Sequence, residues 1–192
     1  MKAKYFLIPS LLIILSVAFS SFCTRQRQEP MRTITWPNGD KYVGFLKGNF
    51  KNGYGVYTWK TGTEYKGSWV EDKQKGEGAM TYANGDKYTG AWDDSKRSGQ
   101  GTMDWKDGMK YIGNWVNEKR EGKGTLTEAD GSVYEGEWKD NRKHGQGVMK
   151  WKDGSKYEGE WKSDLRNGQG VMTGANGIVE KGKFINDIFV GK

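Results

Sequence analysis

The sequence predicts an all-β protein, an elongated single-layer array of antiparallel β-hairpins. Three observations predict it. A Tyr-x-Gly motif recurs every 23 residues from Tyr42 onward with no insertion or deletion, the 29 glycines fall almost entirely into fixed columns, and the aromatic fraction of 14% stands beside a hydrophobic fraction of only 34%. A chain this poor in aliphatic residues cannot fill a central core, yet one this rich in rings is not simply disordered. A solenoid-like array, in which each unit packs only on its neighbours, reconciles the two.

The first 22 residues are set apart. Lys2 and Lys4 precede a mostly apolar stretch from Tyr5 to Phe19, and small residues at Ala18, Ser20 and Ser21 lead to Cys23. That order is a secretory signal. The run is short for a membrane span of about 20 residues, and Pro9 interrupts it, which argues against a permanent anchor helix. Cys23 is the only cysteine, so no internal disulfide is available to it. Its position resembles the lipid-modified cysteine of bacterial lipoproteins, which becomes the mature N-terminus. Phe22 departs from the small residue usual at the preceding position. The alternative is ordinary cleavage after Ser20, which leaves a free thiol on a secreted or periplasmic soluble protein. The expected location is therefore the cell envelope, with residues 23–35 as a lipidated cysteine and polar tether. Removing residues 1–22 takes away two lysines and no acid, so the net charge falls from +7 to +5. That is too mild for a dedicated nucleic-acid binder.

Residues 36–179 carry the repeats. The tyrosine column is Tyr42, Tyr65, Tyr88, Tyr111, Tyr134 and Tyr157, and Glu180 stands at the seventh position. Two residues on come Gly44, Gly67, Gly90, Gly113, Gly136 and Gly159, and two further Leu46, Trp69, Trp92, Trp115, Trp138 and Trp161. All nine tryptophans lie in this column or in a second one, Trp36, Trp59, Trp105 and Trp151, where Glu128 and Gly174 interrupt the aromatic series. In a strand alternate residues share a face, so Tyr157, Gly159 and Trp161 oppose Lys156, Glu158 and Glu160. A following strand such as GQGVMKW places Gly147, Met149 and Trp151 together. Asn84-Gly85, Asp107-Gly108, Asp130-Gly131 and Asp153-Gly154 predict tight turns with positive φ at both positions. The other connection reads as six or seven polar residues, such as VEDKQK or KDNRKH. Glycines beside the rings leave room for those rings to lie over backbone. Residues 180–192, a partial repeat with the aliphatic segment KFINDIFVGK, are expected to cap the last edge.

The unit YEGEWKDNRKHGQGVMKWKDG, from Tyr134 to Gly154, closely resembles a MORN repeat, whose pattern runs Tyr-x-Gly-x-Trp, a spacer, Gly-x-Gly and a closing Gly. The resemblance extends over about residues 36–192. It implies a hairpin array and a role in membrane attachment or in scaffolding protein partners.

Catalytic chemistry finds no footing in these residues. The mature chain has one histidine, His144, and one cysteine, too few for the usual metal site. No Ser or Cys has a positioned base, and the glycine pairs precede no helix, so they are not a phosphate loop. Acidic pairs such as Glu71-Asp72 and Asp93-Asp94 sit beside basic residues in their own spacers. The expectation is a non-enzymatic protein without cofactor or metal.

Binding remains. The favoured expectation is a membrane-tethered scaffold for an unknown protein partner, which could add a strand at an edge or lie along the aromatic face. A first alternative is direct contact with anionic phospholipid headgroups through basic spacers. Only residues 139–144 and 162–167 are net positive, which singles out Arg142, Lys143 and Arg166. A second alternative is a glycan on exposed rings. The rings are needed as core, and that weakens it.

Overall fold

The computed structural model describes residues 30–191. The signal segment, Cys23 and the start of the tether lie outside the described residues. After β1 (Arg32–Thr35), strands of seven and nine residues alternate: β2 (Lys41–Lys47), β3 (Phe50–Thr58), β4 (Glu64–Val70), β5 (Lys73–Thr81), β6 (Lys87–Asp93), β7 (Lys96–Asp104), β8 (Lys110–Val116), β9 (Lys119–Thr127), β10 (Val133–Lys139), β11 (Arg142–Lys150), β12 (Lys156–Lys162) and β13 (Leu165–Thr173). A last hairpin, β14 (Val179–Ile185) and β15 (Ile188–Gly191), follows. All 15 strands form one antiparallel sheet in chain order, so every strand hydrogen-bonds only to its neighbours in sequence. At about 4.8 Å between strands the array spans roughly 67 Å.

The register sets the core. Tyrosines and the Met/Leu column pair across the sheet: Tyr65 with Tyr57 and Met80, Tyr111 with Met103 and Leu126, Tyr134 with Leu126 and Met149. Beside that row every position from β2 to β14 is glycine, Gly113 opposite Gly101 and Gly124, Gly136 opposite Gly124 and Gly147. Each tyrosine ring lies over its glycine pair. A methyl group at Gly136 would come 2.5 Å from Tyr134 Oη and 2.6 Å from Gly147 Cα. Each Tyr–Trp pair meets edge to face, and so does each tyrosine with the next unit's indole. Tyr42, Trp69, Tyr65, Trp92, Tyr88, Trp115, Tyr111, Trp138, Tyr134, Trp161, Tyr157 and Phe184 form one unbroken stack, with centroids 5.1–5.8 Å apart. The sheet thus buries its rings against its own glycines without a second layer.

Buried ring polar atoms need partners, and the backbone supplies them. The register shifts after the first glycine of each unit, between Gly113 and Trp115 for example. At this irregularity a backbone carbonyl accepts the tyrosine hydroxyl: Tyr65 Oη donates to Ser68 O at 3.1 Å, Tyr88 to Ala91 O at 3.0 Å and Tyr134 to Glu137 O at 3.0 Å. The indoles donate to the glycine carbonyl of the preceding unit, Trp92 Nε1 to Gly78 O at 3.2 Å and Trp138 Nε1 to Gly124 O at 3.1 Å. No buried side-chain nitrogen or oxygen among the described residues lacks a partner.

The turns exchange the roles expected from sequence. The polar spacers are not loops: the strands run through them and meet at two-residue turns with positive φ at both positions, such as Glu71 (47°) with Asp72 (66°) and Asp140 (49°) with Asn141 (69°). Two positive φ values define the primed hairpin turn whose twist matches that of the strands. Apart from the first, Gly48-Asn49, these turns contain no glycine, and hydrogen bonds between successive turns offset the strain. Asp72 N donates to Lys51 O at 3.1 Å while Lys51 N donates to Asp72 Oδ1 at 2.9 Å, and later units repeat the exchange. At the Asp-Gly turns only the glycine has positive φ, Gly131 at 91°, while Gly131 N donates to Glu128 O at 3.0 Å and Ser132 N to Asp130 Oδ1 at 2.8 Å. Those are hydrogen-bonded turns of type I followed by a left-handed glycine, not primed ones.

Two boundaries also differ. β1 lies within the stretch expected as tether, and Ile34 packs on the core. The C-terminal segment does not cover an edge. It extends the sheet by a hairpin, with Phe184 buried and Ile178, Val179, Ile185, Ile188 and Val190 exposed.

Candidate groove on the aromatic face

The two kinds of turn bound a groove along the ring-bearing face. Its floor is the Trp69–Trp161 column with Met80, Met103, Leu126 and Met149, all buried. One wall, beside the glycine turns, is the half-buried series Trp59, Tyr82, Trp105, Glu128 and Trp151. The other wall is a column that pairs with Leu46 and the tryptophans in the sheet: Lys51, Gln74, Arg97, Arg120, Lys143 and Arg166. The segment between Tyr82 and Arg120 encloses about 600 Å³, and the groove continues on either side past Trp59 and past Glu128.

The cationic wall is held by the rings. The Arg97 guanidinium carbon lies 4.3 Å from the Trp115 ring centre and that of Arg120 4.2 Å from Trp138, while the Lys51 and Lys143 ammonium nitrogens stand 4.9 Å from Trp69 and 5.4 Å from Trp161. The second residue of the next tight turn then meets three of these cations with a carboxylate. Lys51 pairs with Asp72 at 3.3 Å, Arg97 with Glu118 at 2.8 Å and Arg166 with Asp187 at 3.0 Å. Gln74, neutral and buried, is matched by neutral Ser95, whose hydroxyl accepts the Gln74 backbone N–H at 3.1 Å. In three units a carboxylate therefore meets the cation, and at Gln74 a neutral turn residue faces a neutral side chain.

Of the three residues singled out as basic contacts, Lys143 and Arg166 belong to this wall, whereas Arg142 is exposed at the start of β11 beyond it. The structure does not bring the three onto one surface. Three exposed lysines of the tight-turn edge are matched: Lys73 pairs with Asp94, Lys75 with Asp93 at 3.2 Å and Lys119 with Asp140 at 2.6 Å. The repeat tyrosines and the Trp69–Trp161 column are buried on the ring-bearing face, with the paired glycines beneath the tyrosine rings. Sequence reasoning missed the inward turn of one cation per unit. Its sequence signal is an acid 21 residues further on, Lys51 with Asp72, Arg97 with Glu118, Arg166 with Asp187. Among the described residues no three His, Cys, Asp or Glu side chains converge as metal ligands do.

Similarity to known proteins follows the repeat. The solved structures that resemble the chain include the SAS-4 (dCPAP) TCP domain of Drosophila melanogaster in complex with a proline-rich motif of Ana2 (dSTIL), at 15% identity over 95% of this chain and 99% of that one, with a TM-score of 0.45. The G-box domain of the microcephaly protein CPAP is 16% identical over 81% of this chain and 100% of its own, with a TM-score of 0.38. The TCP10 domain of Danio rerio CPAP in complex with a peptide of Danio rerio STIL is 13% identical over 81% and 94%, with a TM-score of 0.33. No curated protein matches the chain. The MORN repeat model matches six consecutive units, residues 42–64, 65–87, 88–110, 111–133, 134–156 and 157–179. With six contiguous matches spanning most of its length, the chain belongs to the MORN-repeat family.

Proposed function

We propose that this protein is a non-enzymatic binding scaffold of the cell envelope, held to a membrane through Cys23 and receiving a protein segment along its aromatic groove. The observation that carries the reading is the groove itself: a continuous channel with an indole floor, half-buried rings on one side and ring-backed cations on the other. Aromatic and arginine side chains partly withdrawn from water are what protein interfaces use as anchors. The pairing of Lys73, Lys75 and Lys119 with acids leaves the tight-turn edge a poor match for an anionic bilayer.

The test is capture of membrane proteins by the full-length chain, wild type against Trp105→Ala/Trp151→Ala. Both rings stand on the groove wall, and the turns they begin are closed by backbone bonds that the substitution leaves intact. A partner retained by the wild type and lost from the double variant is expected. Equal retention removes the groove from the reading, and salt-sensitive capture by phosphatidylglycerol vesicles in place of any protein favours the headgroup alternative.

The anchor has its own test. Metabolic labelling with palmitate is expected to mark the wild type and not Cys23→Ala, and the variant is expected to leave the membrane fraction. Equal labelling of the two removes the lipid anchor. A single acyl chain holds weakly, so firm retention requires at least two.

A further inference from the structure

The pairing rule along the cationic wall fails in two adjacent units. Lys51, Arg97 and Arg166 each meet a carboxylate of the next tight turn. Arg120 meets Asn141, whose side-chain oxygen accepts the Arg120 amide proton at 2.8 Å and whose carbonyl accepts from Nη2 at 2.8 Å. Lys143 follows directly. Its turn residue Asp164 bonds the Lys143 backbone amide at 2.8 Å, while the ammonium reaches only the Met149 sulfur at 3.9 Å and the rings of Tyr134 and Trp161. Among the described residues neither cation has a carboxylate within salt-bridge distance. They sit in adjacent units over a common floor, Leu126 and Trp138, at the point where the aromatic wall opposite gives way to Glu128.

The geometry points to an acceptor site for a single carboxylate side chain of the bound protein segment, clamped between the Arg120 guanidinium and the Lys143 ammonium. This inference rests on the groove being the binding surface. Two half-buried cations side by side are costly unless something completes them, and burial works against the charge of both. The chain completes the same position internally in three other units, so the missing group has a known chemistry: a carboxylate delivered to the ring-backed cation. Glu128 and Asp164 face the same space. Their charges oppose a phosphate dianion and tolerate one carboxylate, which selects an acidic peptide side chain over a phospholipid headgroup.

Asn141→Asp tests this without disturbing the fold, because it installs the residue type that neighbouring turns already hold. The full-length protein is applied to an array of random ten-residue peptides made in three versions, with Glu, Gln or phosphoserine at the centre. Wild type is expected to prefer the Glu version over the Gln version by about tenfold, the effect of one charge-assisted hydrogen bond. Asn141→Asp and Lys143→Gln are each expected to lose that preference, while Glu118→Gln, which frees Arg97, is expected to strengthen it. Equal retention of Glu and Gln peptides overturns the carboxylate site and leaves the groove standing. A preference for phosphoserine, or an Asn141→Asp variant as selective as wild type, overturns the site as well. Retention of no peptide in any version overturns both the site and the groove.

Discussion

Gly136→Ala is expected to destabilise the array by about 3 kcal/mol, the upper end of what overpacking a core costs. The added methyl would lie 2.5 Å from Tyr134 Oη, 2.6 Å from Gly147 Cα and 2.7 Å from Gln146 O, so neither the ring nor the neighbouring strand can yield without losing its own contacts. The backbone at Gly136 is not in the left-handed region, and steric exclusion alone carries the effect. Gly131→Ala separates this from loss of glycine as such. There φ is +91° and nothing lies within 4 Å of the new methyl, so only backbone strain of about 1–2 kcal/mol applies. Urea denaturation followed by tryptophan fluorescence measures both. Because units couple only to neighbours, a break at Gly136 is also expected to split one transition into two. Tyr134→Ala costs about 3–5 kcal/mol alone, and adding it to Gly136→Ala is expected to cost much less than the sum, since the ring that clashes is gone. A Gly136→Ala protein no weaker than Gly131→Ala would remove the ring-over-glycine account of the core.

That account was legible in the sequence because it depends on residue type at fixed spacing. Tyr111, Gly113 and Trp115 can share a strand face in only one way, and six copies in register leave no competing alignment. The turns were not legible. Asp140-Asn141 contains no glycine, and its left-handed backbone is held by bonds to the preceding turn, Asn141 N to Arg120 O at 3.1 Å, which lie one whole unit away in sequence. Asp130-Gly131 carries the stronger local signal for a primed turn, yet the Asp130 side chain bonds Ser132 and holds the type I form. The groove's cationic wall was hidden for a related reason. Arg120 and Lys143 stand in a run of charges that reads as solvated, and only the register shift after Gly113 and Gly136 turns them toward the rings. Charge in a repeat is therefore informative through its partner 21 residues on, and Asn141, the one neutral residue facing a cation, marks the candidate site more sharply than the basic residues do.

Raising the pH from 10 to about 12 is expected to unfold the protein cooperatively. Tyr42, Tyr65, Tyr88, Tyr111, Tyr134 and Tyr157 are fully buried. Burial raises the hydroxyls of all six, those of Tyr42 and Tyr111 to about 12. An unfolded tyrosine loses its proton near 10. Below that value folded and unfolded chains hold the same protons, and these hydroxyls contribute no pH dependence. Above it the unfolded chain releases protons that the folded chain retains, so stability falls with pH until the folded rings themselves ionise. Ionisation in place is opposed twice, since each hydroxyl is a donor to a backbone carbonyl and the tyrosinate that replaces it has no proton to give. Tyrosinate absorbance and loss of the β-sheet circular dichroism signal are expected to rise together as one steep transition. Tyr134→Phe refines the test: it leaves the Glu137 carbonyl without its donor and lowers stability at neutral pH by about 1–2 kcal/mol, while one fewer titrating group makes the alkaline slope shallower. A gradual titration near pH 10 with the sheet signal unchanged would show that the tyrosines are not the sealed interior of this array, and the packing of ring on glycine would have to be given up with them.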